Sequence, residues 1–224
     1  MLVLVGSGEY LPEMDPVDRI LLSELGRHPT VVCLPTAAGT EGTERIRYWS
    51  DLGVNHFNRL GAAARSVPVV TRRDAQSLDL AEQVRQAEFV YLSGGRPDYL
   101  LNVLQNSLVW KAIQDVLERG GILGGCSAGA MIMGTKIPGF PRAKPAFNLL
   151  PENVVIVPHF DEIPALFVRF VRLLTSSRLR LVGIPGSTAL VVQDSYGKVL
   201  GKGSVELWGR EGRRKLIPGE AVHW

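Results

Sequence analysis

Short, wholly apolar runs that stop abruptly at glycine or proline, with stretches of helical spacing between them, constrain this chain more than any other feature. Leu2-Val3-Leu4-Val5 ends in Gly6-Ser7-Gly8-Glu9, Val31-Val32-Cys33-Leu34 is stopped by Pro35, and Phe89-Val90-Tyr91-Leu92 ends in Ser93-Gly94-Gly95-Arg96-Pro97. A strand that is apolar at every position has both faces buried, the pattern of a parallel sheet covered by helices on either side. Between the runs, Val17, Ile20, Leu21 and Leu25 recur at helical spacing over residues 15–25, closed by Gly26. Residues 43–52, 78–87, 99–104 and 109–119 read as further helices, and residues 55–60 and 67–70 as two further strands. The alternation predicts an α/β fold: a three-layer, doubly wound, mostly parallel sheet.

The second half continues the pattern and then changes it. Residues 138–151 are a Pro-rich loop, residues 154–157 a strand ending in Pro158-His159-Phe160, and residues 163–174 a helix. Residues 181–184 form a strand broken by Pro185-Gly186. From residues 188–192 onward the chain reads as an antiparallel β tail, with a hairpin turn at 195–198 and strands at 205–208 and 215–217. No Pro/Ser-rich linker divides the 224 residues, so the expectation is a single α/β domain over 1–224, with 185–224 as its antiparallel β extension.

Composition narrows the function classes. The net charge is only +3, and Arg72-Arg73 and Arg213-Arg214-Lys215 are short clusters that read as solvated surface, against a nucleic-acid partner. No run approaches the roughly 18 apolar residues of a membrane span, and the opening lacks the basic start and long apolar core of a signal peptide. The two cysteines, Cys33 and Cys126, form neither a disulfide framework nor a zinc spacing. The expectation is a cytoplasmic protein with no cofactor, no metal and no membrane partner.

The chemistry centres on Gly124-Gly125-Cys126-Ser127-Ala128-Gly129-Ala130, which follows the apolar pair Ile122-Leu123 and leads into Met131-Ile132-Met133. Gly125-x-Ser127-x-Gly129 fits a nucleophile elbow, a sharp strand-to-helix turn that holds a serine hydroxyl up and whose glycines avoid collisions with neighbouring backbone. Adjacent N–H groups and a helix dipole there can stabilise an oxyanion. The same stretch also fits a plain serine N-cap. Cys126 is a rival nucleophile, although the glycine frame centres on Ser127. Gly94-Gly95 closes another strand at the same sheet edge, which makes the Gly95 and Ala128 N–H groups candidate oxyanion donors. His159, at a strand end, is the candidate base for Ser127. His28 lies in a loop, His56 in or at a strand, and His223 next to the last residue. A dinucleotide-binding reading of Gly6-x-Gly8 fails for want of a third glycine, since Leu11 stands in its place.

These motifs together resemble the dipeptidase E and cyanophycinase serine peptidases, whose fold is that of class I glutamine amidotransferases. The resemblance rests on Val5-Gly6-Ser7-Gly8-Glu9, Leu34-Pro35-Thr36-Ala37, Tyr91-Leu92-Ser93-Gly94-Gly95, Gly125-Cys126-Ser127-Ala128-Gly129-Ala130 and Pro158-His159-Phe160. It implies Ser127 as nucleophile, His159 as general base, and Gly95 with Ala128 as oxyanion donors. It also implies short peptide substrates, often containing an aspartyl residue, and a tendency to homodimerise.

Two departures follow. Where cyanophycinase-like members have Gly-Ile-Asp-Glu-x-Thr-Ala, this chain has Gly183-Ile184-Pro185-Gly186-Ser187-Thr188-Ala189, with Gly186 in the place of the acid. Residues 135–150, the loop from which dipeptidase E-like members draw theirs, contain no Asp or Glu. Asp161 and Glu162 are the candidate acids nearest in sequence. Glu9, Asp98, Glu152 and Asp194 are read as solvated carboxylates that can approach only through the fold. The second departure is Arg96, where the family usually has a small polar residue after Gly-Gly: it is a candidate clamp for a substrate carboxylate, or it partly blocks the site. Three functions stay open: a serine peptidase with a dyad or relocated acid, a catalytically silent relative that binds a small ligand or protein partner in the same pocket, and amidotransferase-like chemistry through Cys126.

Overall fold

The computed structural model describes residues 1–138, 143–163, 179–210 and 212–223. In chain order the elements are β1 (Leu2–Val5), α1 (Asp15–Ser23), β2 (Thr30–Leu34), α2 (Thr43–Arg59), β3 (Ala63–Ser66), α3 (Arg72–Ala75), α4 (Leu78–Arg85) and β4 (Phe89–Leu92). Then come α5 (Pro97–Leu104), α6 (Leu108–Glu118), β5 (Ile122–Cys126), α7 (Ala128–Met131), β6 (Lys136–Ile137), β7 (Lys144–Pro145) and β8 (Val154–Val157). The last strands are β9 (Arg180–Gly183), β10 (Thr188–Gln193), β11 (Tyr196–Gly201), β12 (Val205–Gly209), β13 (Gly212–Leu216) and β14 (Ala221–His223).

The fold is mixed α/β around an eight-stranded sheet of order β14-β11-β10-β1-β5-β4-β2-β3. From β1 to β3 neighbouring strands run parallel, whereas β10, β11 and β14 continue the sheet antiparallel. The continuous apolar runs have a simple cause. Leu2 and Leu4, Val32 and Leu34, and Val90 and Leu92 join one core cluster, together with Leu100, Ile113 and Val116 from α5 and α6. The alternate residues Val3 and Val5, Val31 and Cys33, and Phe89 and Tyr91 join the other, with Val17, Leu21 and Phe57 from α1 and α2. Both faces are therefore dry, and each buried Val, Leu or Phe side chain contributes about 1.5–3 kcal/mol relative to exposure.

Several local expectations change. Residues 55–60 are not a strand but the last turns of α2. Only Gly53, His56 and Phe57 are buried along this helix, so its apolar face is too narrow to announce itself. His56 is accordingly a core histidine: its Nε2 lies 2.8 Å from Asp18 Oδ2, tying α2 to α1. Residues 67–70 follow strand β3 rather than forming it, and α3 was not anticipated. The first hairpin of the tail turns at Asp194 and Ser195, two residues between β10 and β11, earlier than expected.

The larger change concerns the second sheet. Strands β8 and β9 pair parallel to each other and form, with β12 and β13, a separate four-stranded sheet of order β13-β12-β9-β8. The strand preceding His159 is thus not a member of the central sheet, as strand alternation suggested, and β12 and β13 do not extend the β10–β11 tail. Packing still couples the two sheets, because Val154, Ile156 and Val182 are buried in the same cluster as Leu4 and Leu123. The helix expected over residues 163–174 lies, beyond Ile163, outside the described residues.

Candidate active site

Strand β5 ends at Cys126, and Ser127 follows it with φ 49° and ψ −105°. That conformation is one L-residues avoid, at a cost of about 1–3 kcal/mol, so the surroundings must impose it. The Ser127 N–H donates to the Val5 carbonyl at 3.0 Å. Both flanking glycines are packed against backbone: a Cβ on Gly125 would stand 2.5 Å from the Gly129 carbonyl carbon, and one on Gly129 would stand 2.6 Å from the Leu92 oxygen. The serine side chain makes no capping bond to α7. Its Oγ lies instead 3.0 Å from His159 Nε2, which removes the plain N-cap reading. Because α7 is a single turn long, its dipole adds little, and direct N–H donation is what this turn offers an oxyanion.

His159 sits just past the end of β8, after Pro158, with φ 50°. Two backbone bonds hold the segment: Phe160 N–H donates to Ile184 O at 3.2 Å, and Glu162 N–H to His159 O at 3.0 Å. The second closes a turn that brings the Glu162 carboxylate back toward the ring, with Oε1 3.8 Å from His159 Nδ1. That is longer than a hydrogen bond, and the two side chains are 40% and 70% exposed. Asp161 goes elsewhere, its Oδ1 accepting from the Gly186 N–H at 2.9 Å. A Cβ on Gly186 would stand 3.5 Å from Asp161 Oδ2 and 3.0 Å from Ser7 Oγ, so these two side chains border the room that a residue larger than glycine would use. Asp98 pairs with Lys144 at 2.9 Å, Glu152 with Arg180 at 3.0 Å, and Asp194 occupies the hairpin turn with φ 52°.

The strap after β4 lies against the elbow, since a Cβ on Gly94 would stand 3.5 Å from the Ser127 Cβ. Gly95 has φ 140°, where a Cβ would meet Ala37 O at 2.5 Å, so only glycine fits. Arg96 N–H donates to that same Ala37 oxygen at 2.9 Å, and the Arg96 side chain is exposed at the start of α5. Among the described residues, neither the Gly95 nor the Ala128 N–H has an acceptor. The family model for peptidase family S51 matches residues 2–200 of this sequence. The chain belongs to peptidase family S51.

An uncharacterized peptidase of Listeria innocua is 28% identical over 145 residues, 60% of this chain and 66% of that protein. One from Pasteurella multocida is 26% identical over 149 residues, 62% of this chain and 68% of its own length. The chain thus aligns with about two thirds of these relatives. The crystal structure of a peptidase from an acI-B1 actinobacterium superposes with a TM-score of 0.90 at 35% identity, covering 100% of this chain and 96% of the other. A putative peptidase E protein from Listeria monocytogenes shares the fold, with a TM-score of 0.69 at 21% identity over 89% of this chain and 97% of its own.

This S51 member also holds a group that sequence reading misplaced. Glu9 is not a solvated carboxylate; it is 8% exposed, and it accepts from Gly94 N–H through Oε1 and from Cys126 Sγ–H through Oε2, both at 2.9 Å. The available signal was its place at the end of the Gly6-Ser7-Gly8 turn that follows β1, the strand paired with β5. Burial pushes the Cys126 thiol well above its usual range, and the neighbouring Glu9 carboxylate pushes it further the same way. With its side chain buried and its Sγ–H donating to Glu9, Cys126 is not presented to a substrate, which speaks against the amidotransferase-like reading.

Among the described residues no three His, Cys, Asp or Glu side chains converge as a metal site, and no helix is long and apolar enough to cross a membrane. A cleft of about 770 Å³, lined by Arg180, Arg210, Arg213 and Arg214 among others, contains none of the residues around Ser127.

Proposed function

We propose that this S51 member is a serine peptidase that hydrolyses short peptides, including aspartyl-containing ones, on a class I glutamine amidotransferase-like three-layer scaffold. The observation that carries the reading is the 3.0 Å approach of His159 Nε2 to Ser127 Oγ at a strained, glycine-flanked turn. His159 Nε2 takes the hydroxyl proton as Oγ bonds to the scissile carbonyl carbon. The oxygen becomes an oxyanion that the Gly95 and Ala128 N–H groups receive. Collapse breaks the C–N bond, the imidazolium returns its proton to the departing amine, and water repeats the sequence on the acyl-serine. Glu162 is the carboxylate that attends the imidazolium, at long range; Asp161 steadies the loop at Gly186. The exposed Arg96 offers a guanidinium to a substrate carboxylate, which favours acidic peptides.

Two observations favour a second reading, a catalytically silent relative that binds a small ligand or partner at the same pocket. Glu162 stands 3.8 Å from His159 Nδ1, beyond hydrogen-bond reach, and position 186 carries no acid. Fluorophosphonate labelling separates the two. The peptidase reading expects wild-type labelling at Ser127, none in Ser127→Ala, and a rate reduced by about 100-fold or more in His159→Ala. A folded wild type that stays unlabelled supports the silent reading, and labelling that survives Ser127→Ala overturns the choice of nucleophile.

A further inference from the structure

The buried Glu9 carboxylate touches both halves of the place where an oxyanion would form. On one side is the strap after β4, through Gly94 N–H; on the other is the residue immediately before Ser127, through the Cys126 thiol. These partners are 85 and 117 residues away in sequence, and no strand bond joins Gly94 to Cys126. The register of β4 with β5 ends at Leu92 opposite Gly125, so the ladder stops short of the strap. Among the described residues Glu9 has no cationic partner, and a buried carboxylate is retained only where its hydrogen bonds are satisfied. Its own burial thus argues for a purpose beyond packing.

We infer that Glu9 is a positioning residue: its carboxylate clamps the Gly94-Gly95 strap to the Cys126–Ala128 elbow and so sets the spacing of the Gly95 and Ala128 N–H donors. This rests on the serine-peptidase reading above. Three observations converge on it. Gly94 N–H is consumed by Glu9, which leaves Gly95 as the strap's unengaged donor. The room at Gly94 is closed by the carboxylate, since a Cβ there would stand 2.8 Å from Glu9 Oε1. Cys126 is kept as a thiol, so both contacts run from a donor to the carboxylate. Preorganised donors of this kind act at the transition state, so their loss falls on the rate of bond formation more than on binding.

The test measures fluorophosphonate phosphonylation of Ser127, in which the Oγ–P bond forms as P–F breaks and fluoride leaves. Limiting rate and half-saturating probe concentration are compared for wild type, Glu9→Ala and Glu9→Gln. The clamp predicts a limiting rate lowered by about 100-fold in Glu9→Ala with an unchanged half-saturating concentration. In Glu9→Gln, whose amide oxygen still accepts from Gly94 N–H but whose NH₂ cannot accept from the thiol, the loss is about 10-fold. The pH of half-maximal rate, which reports the base, stays where it is in wild type. A wild-type limiting rate in folded Glu9→Ala, equal losses in both variants, or a shifted pH profile overturns the inference. If Glu9→Ala does not fold, Glu9→Gln decides alone: an unchanged rate overturns the clamp. If wild type is not labelled at all, the peptidase reading fails, and amide hydrogen exchange still reads the strap. Faster exchange at Gly94 in Glu9→Ala, which removes the acceptor, than in wild type supports the clamp, and equal protection overturns it.

Discussion

The two side chains that meet at 3.0 Å are held by different kinds of structure. Ser127 stands on the central sheet, where β5 is buried along its whole length, glycines press backbone against backbone on both sides, and Glu9 ties the preceding residue to the neighbouring strap. His159 follows a strand of the second sheet, is 40% exposed in its side chain, and has the Glu162 carboxylate at 3.8 Å. The serine is thus placed by close packing, which tolerates almost no change, and the histidine by a turn and two backbone bonds, which tolerate more. The contrast teaches that a strained strand-to-helix turn can be complete in its steric framework while the histidine that meets its serine is loosely held.

Gly129→Ala is the strongest way to break this contrast. A methyl 2.6 Å from the Leu92 oxygen forces the elbow to move. Overpacking of this kind costs about 1–3 kcal/mol, which lowers the thermal midpoint by several degrees. Labelling of Ser127 should fall by about 100-fold, measured by gel fluorescence against time. Wild-type labelling and melting in this variant would mean that the elbow is no stiffer than the histidine loop.

The next effect concerns dryness. Cys33 lies in the cluster on the α1–α2 face, and burial pushes its thiol up to about 12. An unfolded thiol titrates near 8.5. Above that pH the unfolded chain releases a proton that the folded protein keeps, so stability falls as pH rises from about 8.5 toward 12. The slope is on the order of 1 kcal/mol per pH unit for each such thiol. Cys126, raised in the same direction, adds a second share, and Tyr10 and Tyr91, both raised by burial, join above about pH 10. Urea unfolding at pH 7.5, 9 and 10 reads the slope, and Cys33→Ala should remove one thiol's share of it. A stability that stays flat to pH 10 in wild type would contradict a dry elbow side.

The smallest effect is expected at Glu162. Exposed ion pairs contribute about 0–1 kcal/mol, so Glu162→Gln should slow labelling less than about 5-fold and leave melting unchanged. A loss of 100-fold would sharpen the picture differently, making Glu162 the working acid and the histidine side as tightly organised as the elbow.

How far the sequence could be read depended on how local each cause was. Leu2 to Val5 and Phe89 to Leu92 announced themselves because burial on both faces leaves no polar position in a strand. Residues 55–60 did not, because α2 buries only Gly53, His56 and Phe57, and His56 is polar, paired with an aspartate 38 residues away. The pairing of β12 with β9 rather than with the β10–β11 hairpin had no local signature at all. Ser127 and its glycine frame were legible for a steric reason confined to a few residues. Glu9 was misplaced because its burial depends on a backbone N–H and a thiol supplied by distant segments.

The sequence alone therefore determined the buried parallel strands, the turn that lifts Ser127, and a histidine at a strand end. Those features follow from side-chain periodicity and from backbone conformations that glycine alone permits. Only the tertiary structure decided that His159 reaches the serine from a second sheet, that Asp161 binds the Gly186 loop while Glu162 stands off the ring, and that Glu9 lies under the strap. Each of these is a choice among several carboxylates or strand partners of equal local merit, and three-dimensional packing resolves it by deciding which groups lose water together.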